Sequence, residues 1–337
     1  MKEAMLYEKL SDGKVKCNLC NHRCTIKDGN YGICGVRQNS GGSLCTLVYD
    51  KIIASHIDPI EKKPLFQFYP GSTAYSIATV GCNFKCKHCQ NADISQLPME
   101  RKGYVVGEKM GPEEMAEAAR RSGCQSIAYT YTEPTVFFEL AYETAQKAHE
   151  RGIKNIFVSN GYMSPEALQE ITPYLDGINI DLKAFTDKFY KEICGARLAP
   201  VLDTIRLAKN LGIWVEVTTL VIPTLNDSAD ELRQIAEFLT DVDVSIPWHI
   251  SQFYPTYQLT DLPRTPVETL HMAREIGLES GLRYVYEGNV PGRGNENTYC
   301  HGCRELLIER WGYSIQKNTI IEGQCPSCGS PVAGVGL

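Results

Sequence analysis

The run Cys82-Asn83-Phe84-Lys85-Cys86-Lys87-His88-Cys89 constrains this chain more than any other stretch. Its three cysteines, spaced C-x3-C-x2-C, directly follow an apolar, β-branched segment, Tyr75–Val80, and a glycine, Gly81. Iron–sulfur clusters are held by cysteine thiolates, normally one per iron. Three closely spaced thiolates can therefore ligate three irons of a [4Fe–4S] cube and leave the fourth open to a substrate or cofactor. The competing reading is a structural zinc knuckle. Zinc sites usually pair C-x2-4-C elements with a fourth ligand nearby, and the next cysteine after Cys89 is Cys124. The spacing favours the open cluster.

The chain has 337 residues, 43% of them hydrophobic and 22% charged, enough for a large core with small appendages. Its formal charge is −6 and it has no long acidic or basic block. Charge therefore gives no reason to expect a nucleic-acid or membrane partner. The first residues lack the apolar region of a signal peptide, and no apolar run reaches the ~18 residues of a membrane span. A cytoplasmic protein is expected. Fourteen cysteines in a reducing compartment point to metal binding rather than disulfides. Eleven fall into three groups; Cys45, Cys124 and Cys194 stand alone and read as small buried hydrophobes.

Between the outer cysteine groups, strand-like and helix-like segments alternate. The strand candidates are 75–80, 126–131, 155–160, 177–183, 214–223 and 247–255, each short and rich in β-branched or aromatic residues. Residues 112–121, 135–151 and 229–239 have helical spacing or termini. Ser164-Pro165 reads as a helix start, and Gly152 and Gly212 read as helix ends. This alternation predicts an α/β fold with a parallel sheet and helices outside. Pattern alone leaves an open sheet and a barrel equally possible.

The cysteine spacing closely resembles that of the radical S-adenosylmethionine (SAM) superfamily. The resemblance implies a partial (β/α)6 TIM-like barrel with the cluster loop after its first strand. It divides the chain into a Cys-rich N-terminal lobe (1–70), the core (71–292) and a zinc-ribbon-like C-terminal lobe (293–337). Five further motifs resemble the activating enzymes of glycyl-radical enzymes, including that of pyruvate formate-lyase. These are Pro59–Leu65, Cys89-Gln90-Asn91, Asp181-Leu182-Lys183, Val221-Ile222-Pro223 and Pro247-Trp248-His249. The run Cys17–Cys24, Asp58–Lys63, Asn289–Gly292 and the terminal cysteine pairs are similar to the radical SAM enzyme of the AmmeMemoRadiSam system.

These resemblances imply that SAM chelates the open iron held by Cys82, Cys86 and Cys89. Reductive cleavage would then give a 5′-deoxyadenosyl radical that abstracts a substrate hydrogen. The electron would come from a reductant such as flavodoxin or ferredoxin, under anaerobic conditions. Glu133 would accept from the SAM ammonium, although the Gly-Gly-Glu motif of relatives is replaced here by Tyr131-Thr132-Glu133. Ser159 and Asn160 match ribose-contacting positions. Asp181 and Lys183, two residues apart on one strand face, would take the ribose and the SAM carboxylate. His249 matches a histidine near the adenosyl group, and Glu216 is a further inward-facing candidate.

Cys300, Cys303, Cys325 and Cys328 form C-x2-C-x21-C-x2-C, two knuckles that can close one tetrahedral site. Zinc is the expected occupant, with iron or an auxiliary cluster as the alternative. Cys17, Cys20, Cys24 and Cys34 form a second four-thiolate set, for zinc or a second iron–sulfur cluster. The expected function is hydrogen abstraction from a small molecule or a macromolecule, including a glycine of a partner protein. Two alternatives are a metal-binding or electron-transfer module without radical chemistry and an RNA-modifying enzyme; the −6 charge opposes the second.

Overall fold

A computed structural model describes residues 1–290 and 295–337. The motif Asn289–Gly292 and the expected boundary after residue 292 therefore fall partly outside the described residues. At the centre is one eight-stranded sheet whose strands lie side by side in sequence order. They are Ala54–Pro59, Thr73–Ala78, Ser126–Tyr129, Lys154–Ser159, Gly177–Asp181, Trp214–Val221, Trp248–Gln252 and Val285–Gly288. All run parallel except the first, which is antiparallel to Thr73–Ala78. Parallel neighbours need long crossovers, and helices supply most of them. The main ones are Pro112–Arg121, Phe138–His149, Pro165–Ile171, Ala199–Asn210, Ala229–Val242 and Val267–Glu279.

The expected partial (β/α)6 barrel is present, with two strands added to the six read from the sequence. Val285–Gly288 escapes notice because four residues are too few to show a pattern. Ala54–Pro59 is an edge strand with three exposed residues in a row, so its alternation is blurred. It comes from the stretch assigned to the N-terminal lobe, so that stretch adds an edge to the central sheet. Helix boundaries follow local chemistry. Ser164 Oγ accepts from Ala167 N at 3.1 Å, as a capping serine does. Among the described residues, no helix is long and apolar enough to cross a membrane.

The N-terminal end of the barrel is plugged by the segment after Ala54–Pro59. Phe68 and Leu65 pack with Ala74, Ala128 and Ile156. Buried backbone in such a plug must find partners, and a buried carboxylate provides them. Glu216 accepts from Phe66 N (2.9 Å), Gln67 N (2.8 Å) and Trp214 Nε1 (3.0 Å). Arg310 Nη2 donates to Phe66 O at 2.7 Å and ties the C-terminal three-stranded sheet (Thr298–Tyr299, Leu306–Trp311, Ser314–Asn318) to the plug.

Two small three-stranded sheets make up the N-terminal residues. An ion pair between Arg37 and Glu139 of the helix Phe138–His149 docks them on the barrel, with side chains only 2% and 1% exposed. Arg37 Nη2 also donates to Met5 O at 3.1 Å, and Glu139 accepts from Met5 N at 2.7 Å. Breaking one partner of a buried pair strands the other charge. Glu139→Gln is therefore expected to destabilise the protein by about 3–5 kcal/mol in anaerobic urea unfolding. A loss below about 1 kcal/mol, the range of exposed pairs, would contradict this docking role.

Candidate active site and metal centres

The loop Cys82–Cys89 leaves the C-terminal end of the strand Thr73–Ala78, where parallel barrels place their chemistry. It is pinned from three sides. Lys85 N and Lys87 N donate to Cys194 O (2.8 Å) and Ile193 O (3.0 Å). Both acceptors lie in a single π-helical turn, Tyr190–Cys194. Gln96 Nε2 reaches Phe84 O at 3.2 Å. On the third side, the His22 ring bonds Asn83 O at 2.7 Å from the N-terminal lobe. Gly81, at φ 103°, permits the contact: a Cβ there would meet Val36 Cγ1 at 2.7 Å.

The three thiols line one cavity of about 520 Å³, together with Asn160, Asp181 and Lys183. Asn160 Nδ2 donates to Cys82 Sγ at 3.3 Å, Phe84 N lies 3.4 Å from the same sulfur, and Cys89 Sγ lies 3.3 Å from Ser95 Oγ. Donors aimed at sulfur stabilise thiolate charge and tune a bound metal. Burial raises the Cys82 thiol well above its ordinary range, and the neighbouring Cys194 thiol does most to raise Cys86. Metal loading must therefore displace protons from buried thiols. Next to them, His88 Nδ1 is buried without a partner, and burial holds the imidazole neutral, down to about 3. A donor set of three thiols with an orphaned nitrogen in the same cavity fits a cluster with room beside it.

Lys183 Nζ lies 3.0 Å from Asp181 Oδ2. Burial works against the ammonium, but Asp181 and the thiols of Cys86 and Cys194 outweigh it and raise Lys183 well above its ordinary value. The Asp181 side chain keeps 36% of its surface exposed, enough for a further partner. Ser159 and Asn160 also line the cavity.

Three candidates are placed otherwise. Glu133 is fully buried and accepts from Thr135 N (3.0 Å), Ser159 Oγ (2.9 Å) and Asn160 N (2.8 Å). Its carboxylate caps the turn that follows its strand and holds Ser159 and Asn160, and it does not line the cavity. His249 points into the barrel but toward the plug. It bonds Glu216 Oε2 at 2.6 Å, stacks on Tyr286 and meets Phe66 edge-on. Glu216 likewise faces inward and is spent on the plug. Facing the barrel interior does not decide the depth at which a side chain sits.

The structure also brings in residues that the sequence left unassigned. Tyr131 adopts φ 61°, a left-handed conformation unusual for a tyrosine. Its carbonyl accepts from Asn91 Nδ2 at 2.8 Å, and its hydroxyl donates to Asp58. Asp58 also takes Lys62 Nζ (2.8 Å) and the buried Lys63 Nζ (2.6 Å). Burial disfavours the Asp58 carboxylate, yet these three donors hold it below the usual carboxylate range. Lys62, Lys63, Tyr131 and Tyr313 of the C-terminal lobe all reach the cavity wall. Cys194, read as an isolated hydrophobe, sits against Cys86. The Asp58–Lys63 run, Asn91 and Tyr131 stood in quoted motifs, but Tyr313 and Cys194 carried no sequence signal for this group.

The two outer cysteine sets differ. Cys300 Sγ lies 3.6 Å from Cys328 Sγ, and Cys303 Sγ 3.7 Å from Cys325 Sγ. All four sulfurs fall within 4.8 Å of one another. Four thiolates at ~2.3 Å from one tetrahedral ion stand about 3.8 Å apart, so this set fits a single metal ion. Cys17, Cys20, Cys24 and Cys34 line a small cavity instead, against Thr135 and Val136.

Residues 76–239 match the family model of the radical SAM superfamily. An uncharacterized protein of Methanocaldococcus jannaschii is 49% identical over 335 residues, covering 98% of this chain and 99% of that protein. A putative glycyl-radical enzyme activating enzyme of the same organism is 27% identical over 212 residues, covering 62% of this chain and 78% of that one. The structure of Streptococcus suis SuiB bound to S-adenosylmethionine shares the fold, with a TM-score of 0.51 at 13% identity over 68% of this chain and 53% of SuiB. The loop spacing and the family match agree: residues 76–239 form a domain of the radical SAM superfamily.

Proposed function

We propose that this protein binds SAM beside a [4Fe–4S] cluster ligated by Cys82, Cys86 and Cys89, and uses it to abstract a hydrogen atom from a carbon of its substrate. The observation that carries this reading is the convergence of three thiols, Asp181 and Lys183 on one cavity. The cluster and SAM together supply the electron and the 5′-deoxyadenosyl radical. The chain supplies position and dryness. Asp181 would accept from ribose hydroxyls, and Lys183 would pair with the SAM carboxylate. Ser159 and Asn160, held by Glu133, would present short polar groups beside them. The pinned loop keeps Cys82 and Cys86 buried and Cys89 partly so, which would limit water around a reactive intermediate.

The substrate meets the wall built by Lys62, Lys63, Tyr131 and Tyr313. Because a residue of the C-terminal lobe borders the mouth, a small molecule or a single protruding side chain suits it best. A second reading, a glycine in a partner protein, is favoured by the similarity to a putative glycyl-radical enzyme activating enzyme. The electron donor would be a flavodoxin- or ferredoxin-type protein. At the C-terminal site, the tight sulfur tetrahedron favours zinc.

The reconstituted protein, reduced with dithionite under anaerobic conditions, is expected to form 5′-deoxyadenosine from SAM, and Cys82→Ala should abolish it. Equal product from both proteins would overturn the reading. Asp181→Ala should weaken SAM binding about 10–100-fold, the worth of one or two hydrogen bonds to a charged group, with the cluster absorption unchanged. His249→Ala should instead lower thermal stability and leave SAM affinity as it was. A reversed pattern would refute the assignment of both residues. Cys303→Ser should lower bound zinc from about one to about zero per chain by elemental analysis. Retention of zinc would contradict a closed four-cysteine site.

A further inference from the structure

The chain contains its own comparison between two ways of arranging thiols. Among the described residues, only Cys300, Cys303, Cys325 and Cys328 form a group of three or more whose ligand atoms lie within 4.8 Å of one another. The thiols of Cys82, Cys86 and Cys89 share a cavity without closing to that distance. Cys17, Cys20, Cys24 and Cys34 follow the second pattern. They line a small cavity with Leu19, Ile26 and Val136, and no three of them draw together as a single zinc ion would require.

Two further observations point to an occupant. Arg37 also lines this void; it is 2% exposed, and its Nε is buried without a partner although both Nη atoms are bonded. An unpaired guanidinium donor among four thiols suits a bound group carrying negative charge. Second, a single residue separates this void from the site at the barrel mouth. Asn83 lines the void and accepts from the His22 ring through its carbonyl. Its Oδ1 accepts from Asn160 Nδ2 at 3.1 Å, and the same amide group donates to Cys82 Sγ.

We propose that Cys17, Cys20, Cys24 and Cys34 hold a second iron–sulfur cluster that passes single electrons to the cluster of Cys82, Cys86 and Cys89. This inference rests on the radical SAM reading of the latter. With four thiolates, every iron of the second cluster is occupied, which suits an electron carrier and excludes substrate. One electron leaves the reduced N-terminal cluster, which is thereby oxidised, and reduces the cluster at the barrel mouth. A low-potential one-electron donor restores the first. No bond to the protein forms or breaks.

The test is the iron, sulfide and zinc content of the full chain after anaerobic reconstitution, for wild type and two variants. Wild type should bind about eight irons and about one zinc, and Cys82→Ala/Cys86→Ala/Cys89→Ala should keep about four irons. Wild type with about four irons and about two zincs, or a triple variant without iron, would overturn the proposal. Cys20→Ser should keep the mouth cluster, read by its electron paramagnetic resonance signal, and lose most of its flavodoxin-driven SAM cleavage. An unchanged rate with only the mouth cluster present would overturn the relay. If Cys20→Ser does not fold, the iron count of the triple variant still decides the cluster. Failure of the radical SAM reading would look different: four irons retained in the triple variant, with no 5′-deoxyadenosine from wild type.

Discussion

The arrangement at the barrel mouth depends on how eight residues, Cys82–Cys89, are held. Three thiols must be buried, turned toward one cavity and kept apart, although burial alone favours their protonated form. A loop left to itself would not maintain this. Here, carbonyls of Ile193 and Cys194 fix its backbone from one side and His22 fixes it from another, while Asn160 and Ser95 engage the sulfurs of Cys82 and Cys89. The π-helical turn that offers two of those carbonyls fits the tendency of such turns to mark functional sites. The N-terminal lobe is therefore part of the loop's support and not a separate appendage.

Buried carboxylates divide the remaining work by depth. Glu216 neutralises the backbone of the plug, Glu133 anchors the turn carrying Ser159 and Asn160, and Glu139 docks the N-terminal lobe through Arg37. Each is fully engaged by donors, as a buried charge must be. Asp181 is the exception, partly exposed and paired at one oxygen with Lys183. That difference separates a group that can still receive a ligand from groups that serve as scaffolding. It also explains why acidic candidates that all face inward in the sequence pattern part company in the structure.

Much of the fold was legible because its signals are local. Six strands, the helix Pro112–Arg121 and the Ser164 cap follow from alternation, charge placement and capping chemistry within a few residues. The cysteine loop and the C-terminal knuckles were legible because metal ligands must recur at short spacing. Depth within the barrel was not. His249 and Ser251 lie on the same strand face, yet only Ser251 reaches the cavity. Strand tilt and the plug decide that, and both depend on residues far away in sequence. Cys194 was missed for the same reason, being brought to Cys86 by a turn more than a hundred residues on. The edge strand Ala54–Pro59, exposed along one side, had too little burial to leave a pattern.

The central claim is that one iron of the cluster at Cys82, Cys86 and Cys89 remains open and takes SAM. Electron paramagnetic resonance of the dithionite-reduced protein, recorded before and after addition of SAM, tests it directly. The account predicts that SAM shifts the signal of one cluster, and that the shift disappears in Cys86→Ala. A spectrum indifferent to SAM in the fully loaded wild-type protein would contradict it.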